Sequence, residues 1–419
     1  MTAEILAVGT ELLLGNIVNT NARFLSRELA GLGIPVYGHT VVGDNAARLR
    51  AALTYAFTKA DIVIATGGLG PTQDDITKEV AAALFGVALE LHKPSWAAIQ
   101  RRYIGRDLPD NVRRNAMVPA GCRVLQNDHG SAPGIILKGR VNLSACDGTG
   151  VDKLLMLLPG PPHELEPMFI TYAVPFLRTK MEQIFVSRTL RVTKLGEARM
   201  ENLLRDMIDA QTNPTLAPYA KLAECELRIT AAAESEAAAH ALIAPVVREV
   251  YARLGDNIYG EDEDSLASVV LDQLRKRGLT IACAESCTGG LLTAALVGVP
   301  GCSAVLNEAM ITYSNDAKVA RLGVNPALLA AHGAVSAPVA AAMAEGAARY
   351  TGADVGIAIT GVAGPDGGTK DKPVGTVHVG LYIAEQRTVT QHLLLSGDRS
   401  EVRTRAVVEA LDMLRRSLL

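Results

Sequence analysis

Leu279-Thr280-Ile281-Ala282-Cys283-Ala284-Glu285-Ser286-Cys287-Thr288-Gly289-Gly290-Leu291-Leu292-Thr293-Ala294-Ala295-Leu296 places an apolar run, a turn of small polar residues and a second apolar run in succession. Residues 279–283 have the length and content of a buried strand, the Ser/Thr/Gly turn interrupts it, and residues 291–296 repeat as a helix would. The stretch predicts a strand, a tight loop and a helix N-terminus, the unit of a layered α/β sheet. Ser286 and Thr288 then fall where free backbone N–H groups and the helix dipole favour developing negative charge. Downstream stands Thr312-Tyr313-Ser314-Asn315-Asp316-Ala317-Lys318. A serine becomes a nucleophile when a nearby base takes its proton, and a desolvated lysine can be that base. The plainer reading of the same residues is a capping turn beside a surface lysine.

The α/β pattern extends on both sides of this stretch. Helices are expected at 265–278, 317–322, 325–332, 337–351 and 400–418, and strands at 304–313, 354–360, 374–383 and 387–395. The first third alternates likewise, with strands at 5–9, 36–42 and 61–68 and helices at 21–32 and 45–59. That βαβαβ order implies a largely parallel sheet with helices on both faces. Its ligand crevice is expected beyond the carboxyl ends of the strands, where Gly9-Thr10-Glu11 and residues 66–70 lie. Residues 120–150 weaken into Gly, Asn, Asp and Ser before a strand at 151–158 and a helix ending near 178. Residues 185–258 differ: strands at 185–192 and 224–232, helical stretches at 197–210 and 235–255, a small α+β unit. The run Glu261-Asp262-Glu263-Asp264 reads as a solvated loop with N-cap character.

At 419 residues the chain is long enough for two or three domains. Its 49% hydrophobic and 20% charged content describes a folded protein with a large core. A net charge of −3 offers no overall basic field for nucleic acid or an anionic membrane. Six cysteines without a C-x-x-C spacing argue against a disulfide framework or structural zinc. Glu4 and Glu11 break the N-terminal apolar run, so neither a signal peptide nor a membrane span is expected, and the chain is assigned to the cytoplasm. With this much apolar surface, at least a homodimer is expected.

Four polar loops follow strands in the last third, at 286–290, 314–318, 361–369 and 396–399. Loops at one end of a parallel sheet can converge on one pocket. Gly361-Val362-Ala363-Gly364-Pro365-Asp366-Gly367-Gly368 would let backbone N–H groups approach a phosphate or amide closely. Arg399 and Arg403, four apart at the start of the last helix, share a face and could grip a phosphate; an ordinary solvated helix face is the alternative. In the first third, Gly67-Gly68-Leu69-Gly70 before Asp74-Asp75 suits a phosphate plus a divalent ion on carboxylates, with Glu11 and Asp44 at other strand ends. The simpler reading makes Asp74 and Asp75 caps of a helix starting at Ile76.

Five ordered motifs, Ala284–Gly290, Thr312–Asn315, His332-Gly333-Ala334-Val335-Ser336, Gly361–Gly368 and Lys372-Pro373-Val374-Gly375-Thr376-Val377, resemble the C-terminal domain of the CinA family, a nicotinamide mononucleotide deamidase module. The resemblance implies hydrolysis of the carboxamide of nicotinamide mononucleotide (NMN) to nicotinate mononucleotide and ammonia, with no cofactor. It implies Ser286 as nucleophile, Lys318 as general base, Tyr313 in a proton relay or against the pyridine ring, and Arg399 and Arg403 on the 5′-phosphate. Thr288, Gly289, Gly290, Asn315, Gly361 and Gly364 would line the substrate, with the Cys287-Thr288-Gly289 N–H groups receiving the oxyanion. Cys287 reads as a packing residue, though a thiol so near a helix N-terminus is a candidate for reactivity.

Val8–Gly15, Val42-Gly43-Asp44-Asn45, Thr66–Thr77 and Leu158-Pro159-Gly160-Pro161-Pro162 resemble the molybdopterin-binding fold of CinA proteins. That implies Thr10, Gly67, Gly68 and Gly70 on a phosphate, and Glu11, Asp44, Asp74 and Asp75 on a divalent metal, in a domain that in some relatives resembles an ADP-ribose pyrophosphatase. The middle unit would be KH-like, but Leu195-Gly196-Glu197-Ala198-Arg199 lacks a Gly-x-x-Gly clamp, which disfavours RNA. The fold class expected is α/β: two three-layer domains with mostly parallel sheets, at 1–178 and 261–419, joined by a small α+β domain at 179–260. The rival class is a catalytically silent, competence- or DNA-damage-associated binding protein.

Overall fold

A computed structural model describes residues 1–105, 107–141, 150–181 and 183–419. The chain divides into two compact units, one of residues 1–186 with 232–240 and one of 187–231 with 241–419. Part of the polar stretch between 120 and 150 lies outside the described residues.

In the first unit six strands form one sheet in the order Val36–Val42, Ala3–Val8, Ile62–Thr66, Val151–Leu158, Gly134–Val141, Arg123–Leu125. The first four are parallel and the last two antiparallel. Alternation along the strands feeds two cores. Leu6, Val8, Val63 and Ala65 pack with Leu49, Leu53 and Phe57 of the helix Ala46–Lys59. Ile5, Ile62 and Ile64 pack on the other face with Leu25 and Leu29 of Thr20–Gly31 and with Phe169. Period-2 alternation with apolar residues on both faces is what a sheet sandwiched by helices requires.

The second unit holds a five-stranded sheet ordered Leu306–Ile311, Ile281–Glu285, Val355–Gly361, Thr376–Ile383, Val389–Leu394. The first three strands are parallel; the last two turn antiparallel. Ile281, Cys283, Ile357 and Ile359 meet Leu271 and Leu274 of Leu266–Arg277 and Leu411 and Leu414 of Arg399–Ser417. On the opposite face the strands Ile281–Glu285 and Val355–Gly361 contribute Ala282, Ala284 and Ala358, and the helix Ala337–Thr351 sits close against them. A methyl at Gly356 would stand 2.0 Å from the Ala344 carbonyl oxygen.

A four-stranded sheet ordered Thr215–Ala220, Cys225–Ala233, Ile184–Val192, Ile258–Glu261 makes the small α+β unit. Against expectation, the acidic run after it is not simply solvated. Arg188 pairs with Glu261 and Asp262, Asp262 accepts from the Thr189 N–H, and Asp264 from the Glu261 N–H. The N-cap expected beside it is Ser265, whose Oγ accepts from Ser268. Another ion cluster lies at the end of the last helix. Buried Asp412 accepts from Arg415 at 2.7 Å and Arg416 at 2.9 Å, while both guanidiniums also reach the Asp256 carbonyl and Lys194 pairs with Glu409. Among the described residues no helix is long and apolar enough to cross a membrane.

Candidate active site

Ile281–Glu285 is paired on both sides in its sheet and wholly buried, and the chain turns immediately after it. Gly289 and Gly290 adopt φ of +57° and +97°, a region β-carbon-bearing residues avoid, and so permit the turn into Leu291–Val297. The helix Asn315–Leu322 opens where Ser314 Oγ accepts from the Ala317 N–H, which directs Lys318 back toward that turn.

Lys318 is buried, with Nζ 3.1 Å from Ser286 Oγ, 2.8 Å from the Thr312 carbonyl and 3.1 Å from the Tyr313 carbonyl. Burial holds its pKa below the ordinary 10.5, with the Cys287 thiol opposing weakly. A neutral amine has two N–H bonds and one lone pair. All three oxygens can accept from Nζ, and once the amine is neutral the two carbonyls can take its two N–H bonds and free its lone pair for the Ser286 hydroxyl. The arrangement is that of a base on a nucleophile, and the surface-lysine reading falls.

The other expected residues divide. Arg403 donates to the Thr288 carbonyl at 2.6 Å, and Arg399 donates to the Gly364 carbonyl at 2.7 Å and to the Tyr313 hydroxyl at 3.4 Å. The four loops are thus joined around one place, Arg403 through one nitrogen and Arg399 through two. Tyr313 is 62% exposed and its hydroxyl bonds Arg399, not Ser286 or Lys318, so it forms no proton relay between them. Asn315 is exposed at the start of its helix. Gly361 ends the strand Val355–Gly361, and a methyl there would stand 2.8 Å from the Thr376 carbonyl oxygen. Cys287 is buried and its thiol is pushed up to about 11, so burial outweighs any activation by the helix end.

Sequence reasoning gave Glu285 no role. Its fully buried carboxylate accepts from the N–H groups of Gly290 (2.9 Å), Leu292 (3.2 Å) and Thr293 (2.8 Å) and from Thr293 Oγ1 (2.6 Å). The expected free N–H groups at the helix start are therefore occupied. Gly289 N–H is also used, on the Ser286 carbonyl. The N–H groups of Cys287 and Thr288 bond no other residue among those described. The spacing of Glu285 from residues 290, 292 and 293 follows neither helix nor strand period, which hid it.

In the first unit, Asp44 accepts from Thr10 N–H (2.9 Å) and Oγ1 (2.8 Å), and Asp75 accepts from the Thr72 N–H (2.9 Å) and hydroxyl. Neither Asp74 nor Asp75 caps the helix Thr77–Phe85, whose N-cap Ile76 has no side-chain bond. The glycines are hemmed in by the protein itself: β-carbons at Gly67, Gly68 and Gly70 would stand 2.2 Å from the Val8 carbonyl oxygen, 2.2 Å from Thr77 Oγ1 and 2.6 Å from an Asp75 oxygen. Among the described residues no group of three or more His, Cys, Asp or Glu converges, so Glu11, Asp44, Asp74 and Asp75 do not fit together as a metal site here. A cleft of about 440 Å³ is lined by Glu11, Ile17, Val18, Asn21, Thr66 and Gly160 among others. Asn21 Nδ2 donates to Thr66 Oγ1 and the Gly160 carbonyl, while its buried Oδ1 lacks a partner.

Fold and site together define an α/β protein with a sheet-end Ser–Lys centre. The family model of the CinA C-terminal domain matches residues 263–418, that of a probable molybdopterin binding domain residues 4–179, and that of the damage-inducible protein CinA KH domain residues 187–260. A CinA-like protein of Dictyoglomus turgidum is 51% identical over 421 residues, covering 100% of each chain. A putative competence-damage inducible protein of Clostridium acetobutylicum is 49% identical with the same coverage. The crystal structure of the competence/damage inducible protein CihA from Agrobacterium tumefaciens is 40% identical, covering 36% of this chain and 93% of that chain, with a TM-score of 0.36. The chain belongs to the CinA family.

Proposed function

We propose that the C-terminal domain is a nicotinamide-nucleotide amidase that hydrolyses NMN to nicotinate mononucleotide and ammonia. The observation that carries this reading is the buried Lys318, its pKa lowered by desolvation and its Nζ within hydrogen-bond distance of Ser286 Oγ. Ser286 Oγ attacks the carboxamide carbon while Lys318 takes its proton. The oxyanion forms beside the Cys287 and Thr288 N–H groups. Lys318 returns the proton to the leaving nitrogen, ammonia departs, and an acyl-enzyme remains. Water then attacks the ester, giving its proton to Lys318, and the acid leaves as Ser286 is reprotonated. In this reading Arg403 and Arg399 hold the 5′-phosphate and the exposed Tyr313 ring lies along the pyridine. Ammonia release from NMN, measured with a chelator present, tests the reading. Silence of a folded wild type would sink it.

For the first unit we infer a nucleotide-phosphate ligand, with ADP-ribose the first candidate, in the cleft at Asn21 and Thr66. The unpartnered Asn21 Oδ1 supports a ligand bearing an N–H or O–H donor there. Calorimetric titration with ADP-ribose, with and without a divalent ion, tests this, and equal binding by Asn21→Ala would count against it. The working form is proposed to be a cytoplasmic homodimer, and sedimentation at one protomer mass would contradict that.

A further inference from the structure

We propose that Glu285 is a positioning residue that decides which backbone amides receive the oxyanion, an inference that rests on the amidohydrolase reading above. The N–H groups from 286 to 293 have distinct destinations. Ser286 donates to Ile359, Gly289 to Ser286 and Leu291 to Thr288, all through carbonyl oxygens. Gly290, Leu292 and Thr293 donate to the Glu285 carboxylate. Among the described residues, the N–H groups of Cys287 and Thr288, the two residues that follow the nucleophile, are those left without another residue as acceptor.

Glu285 is buried in a strand paired on both sides and adjoins Ser286, so its backbone is fixed by the sheet while its side chain holds the far end of the turn. The carboxylate thus pins both ends of residues 286–290. It also removes three competing donors from the place where charge develops. Its two oxygens accept from three N–H groups and a hydroxyl, with no ion pair among the described residues. A neutral carboxamide of the same shape cannot do this. Its NH₂ would face N–H donors, and the turn would have to move to relieve the conflict. Oxyanion donors act only when held in place before the reaction, so a shifted turn reduces the chemical step and leaves substrate binding largely alone.

The test compares the full-length wild type with Glu285→Gln. Two rates are read: ammonia release from NMN, and phosphonylation of Ser286 by a fluorophosphonate followed by intact mass. In the second, the Oγ–P bond forms, the P–F bond breaks, fluoride leaves and the proton goes to Lys318, so the reaction reports the site without a carboxamide. In Glu285→Gln, kcat for NMN is expected to fall roughly 10- to 100-fold, with KM within about threefold. Phosphonylation should slow by a similar factor. The acid limb of the pH profile should stay in place, because the Lys318 contacts are untouched. A folded Glu285→Gln with wild-type rates overturns the proposal. Should that variant fail to fold, Thr293→Val, which removes only the hydroxyl donor, is expected to slow both reactions about threefold, and unchanged rates would overturn it. A wild type that leaves NMN intact yet is labelled at Ser286, with the same deficit in the variant, refutes the substrate and keeps the role of Glu285. A wild type inert to both probes overturns both.

Discussion

Lys318 Nζ lies 3.1 Å from Ser286 Oγ, and its two further contacts are both carbonyl oxygens at the end of the neighbouring strand. A lysine kept as a cation for structural reasons is ordinarily paired with a carboxylate when buried. Here its contacts are two carbonyls and a hydroxyl, with no carboxylate among them.

Ser286→Ala and Lys318→Met are each expected to lower kcat for ammonia release by about 10³-fold or more, and the double variant should be no worse than the poorer single. Residual activity within tenfold of wild type in Lys318→Met would remove the lysine from the mechanism.

Only neutral Lys318 can accept the Ser286 proton, and burial moves its titration below 10.5. kcat/KM should therefore rise with pH and level off after an inflection below that value. A pH–rate profile that falls through the alkaline range would contradict the assignment.

The thiol of Cys287, pushed up to about 11, stays protonated at pH 8. Iodoacetamide should modify it slowly in the native protein, and Cys287→Ser should keep activity within about tenfold. Rapid alkylation with matching loss of activity would identify a cysteine chemistry instead.

Arg399→Ala and Arg403→Ala are expected to raise KM for NMN by about tenfold or more while leaving nicotinamide riboside, which lacks the phosphate, unaffected. Equal losses on both compounds would show that the arginines act only by holding the Thr288 and Gly364 loops.

Lys78 in the first unit donates to the carbonyls of Arg114 and Asn115 and is driven down to about 8 by burial. Its folded pKa lies below the unfolded 10.5, so the unfolded chain binds more protons between these values and stability rises with pH there. The penalty, about 3 kcal/mol, is full below pH 8 and relieved toward 10.5. Relative to wild type, Lys78→Met should become less stable by about that amount over this window. Denaturant titrations that give a pH-independent difference would exclude the effect.

The sequence revealed some elements closely and hid others for identifiable reasons. Strands Val36–Val42 and Val151–Leu158 and helix Ala337–Thr351 have the bounds their apolar patterns predict. The strand before Ser286 begins two residues late, at Ile281, because the Leu279 N–H closes the preceding helix on Leu274 and Thr280 bonds Asp354. Thr215–Ala220 was missed because Pro218 speaks against a strand; at the sheet edge the absent N–H is tolerated. Ser286, Lys318 and the arginines were legible as residue types in loops that must meet. Glu285 was not, since nothing local announces that a carboxylate will be buried until the turn that satisfies it exists.

The last helix, Arg399–Ser417, has one end among the loops that meet at Ser286. Near its other end Asp412, Arg415 and Arg416 are tied to Lys194 and Asp256 of the small domain. Severing the chain near residue 260 would strip Arg415, almost wholly buried, of one of its two acceptors and leave Asp412 without its lysine neighbour. The small domain is accordingly more than a spacer between two larger ones. It is the mooring for the far end of the helix whose near end carries the arginines.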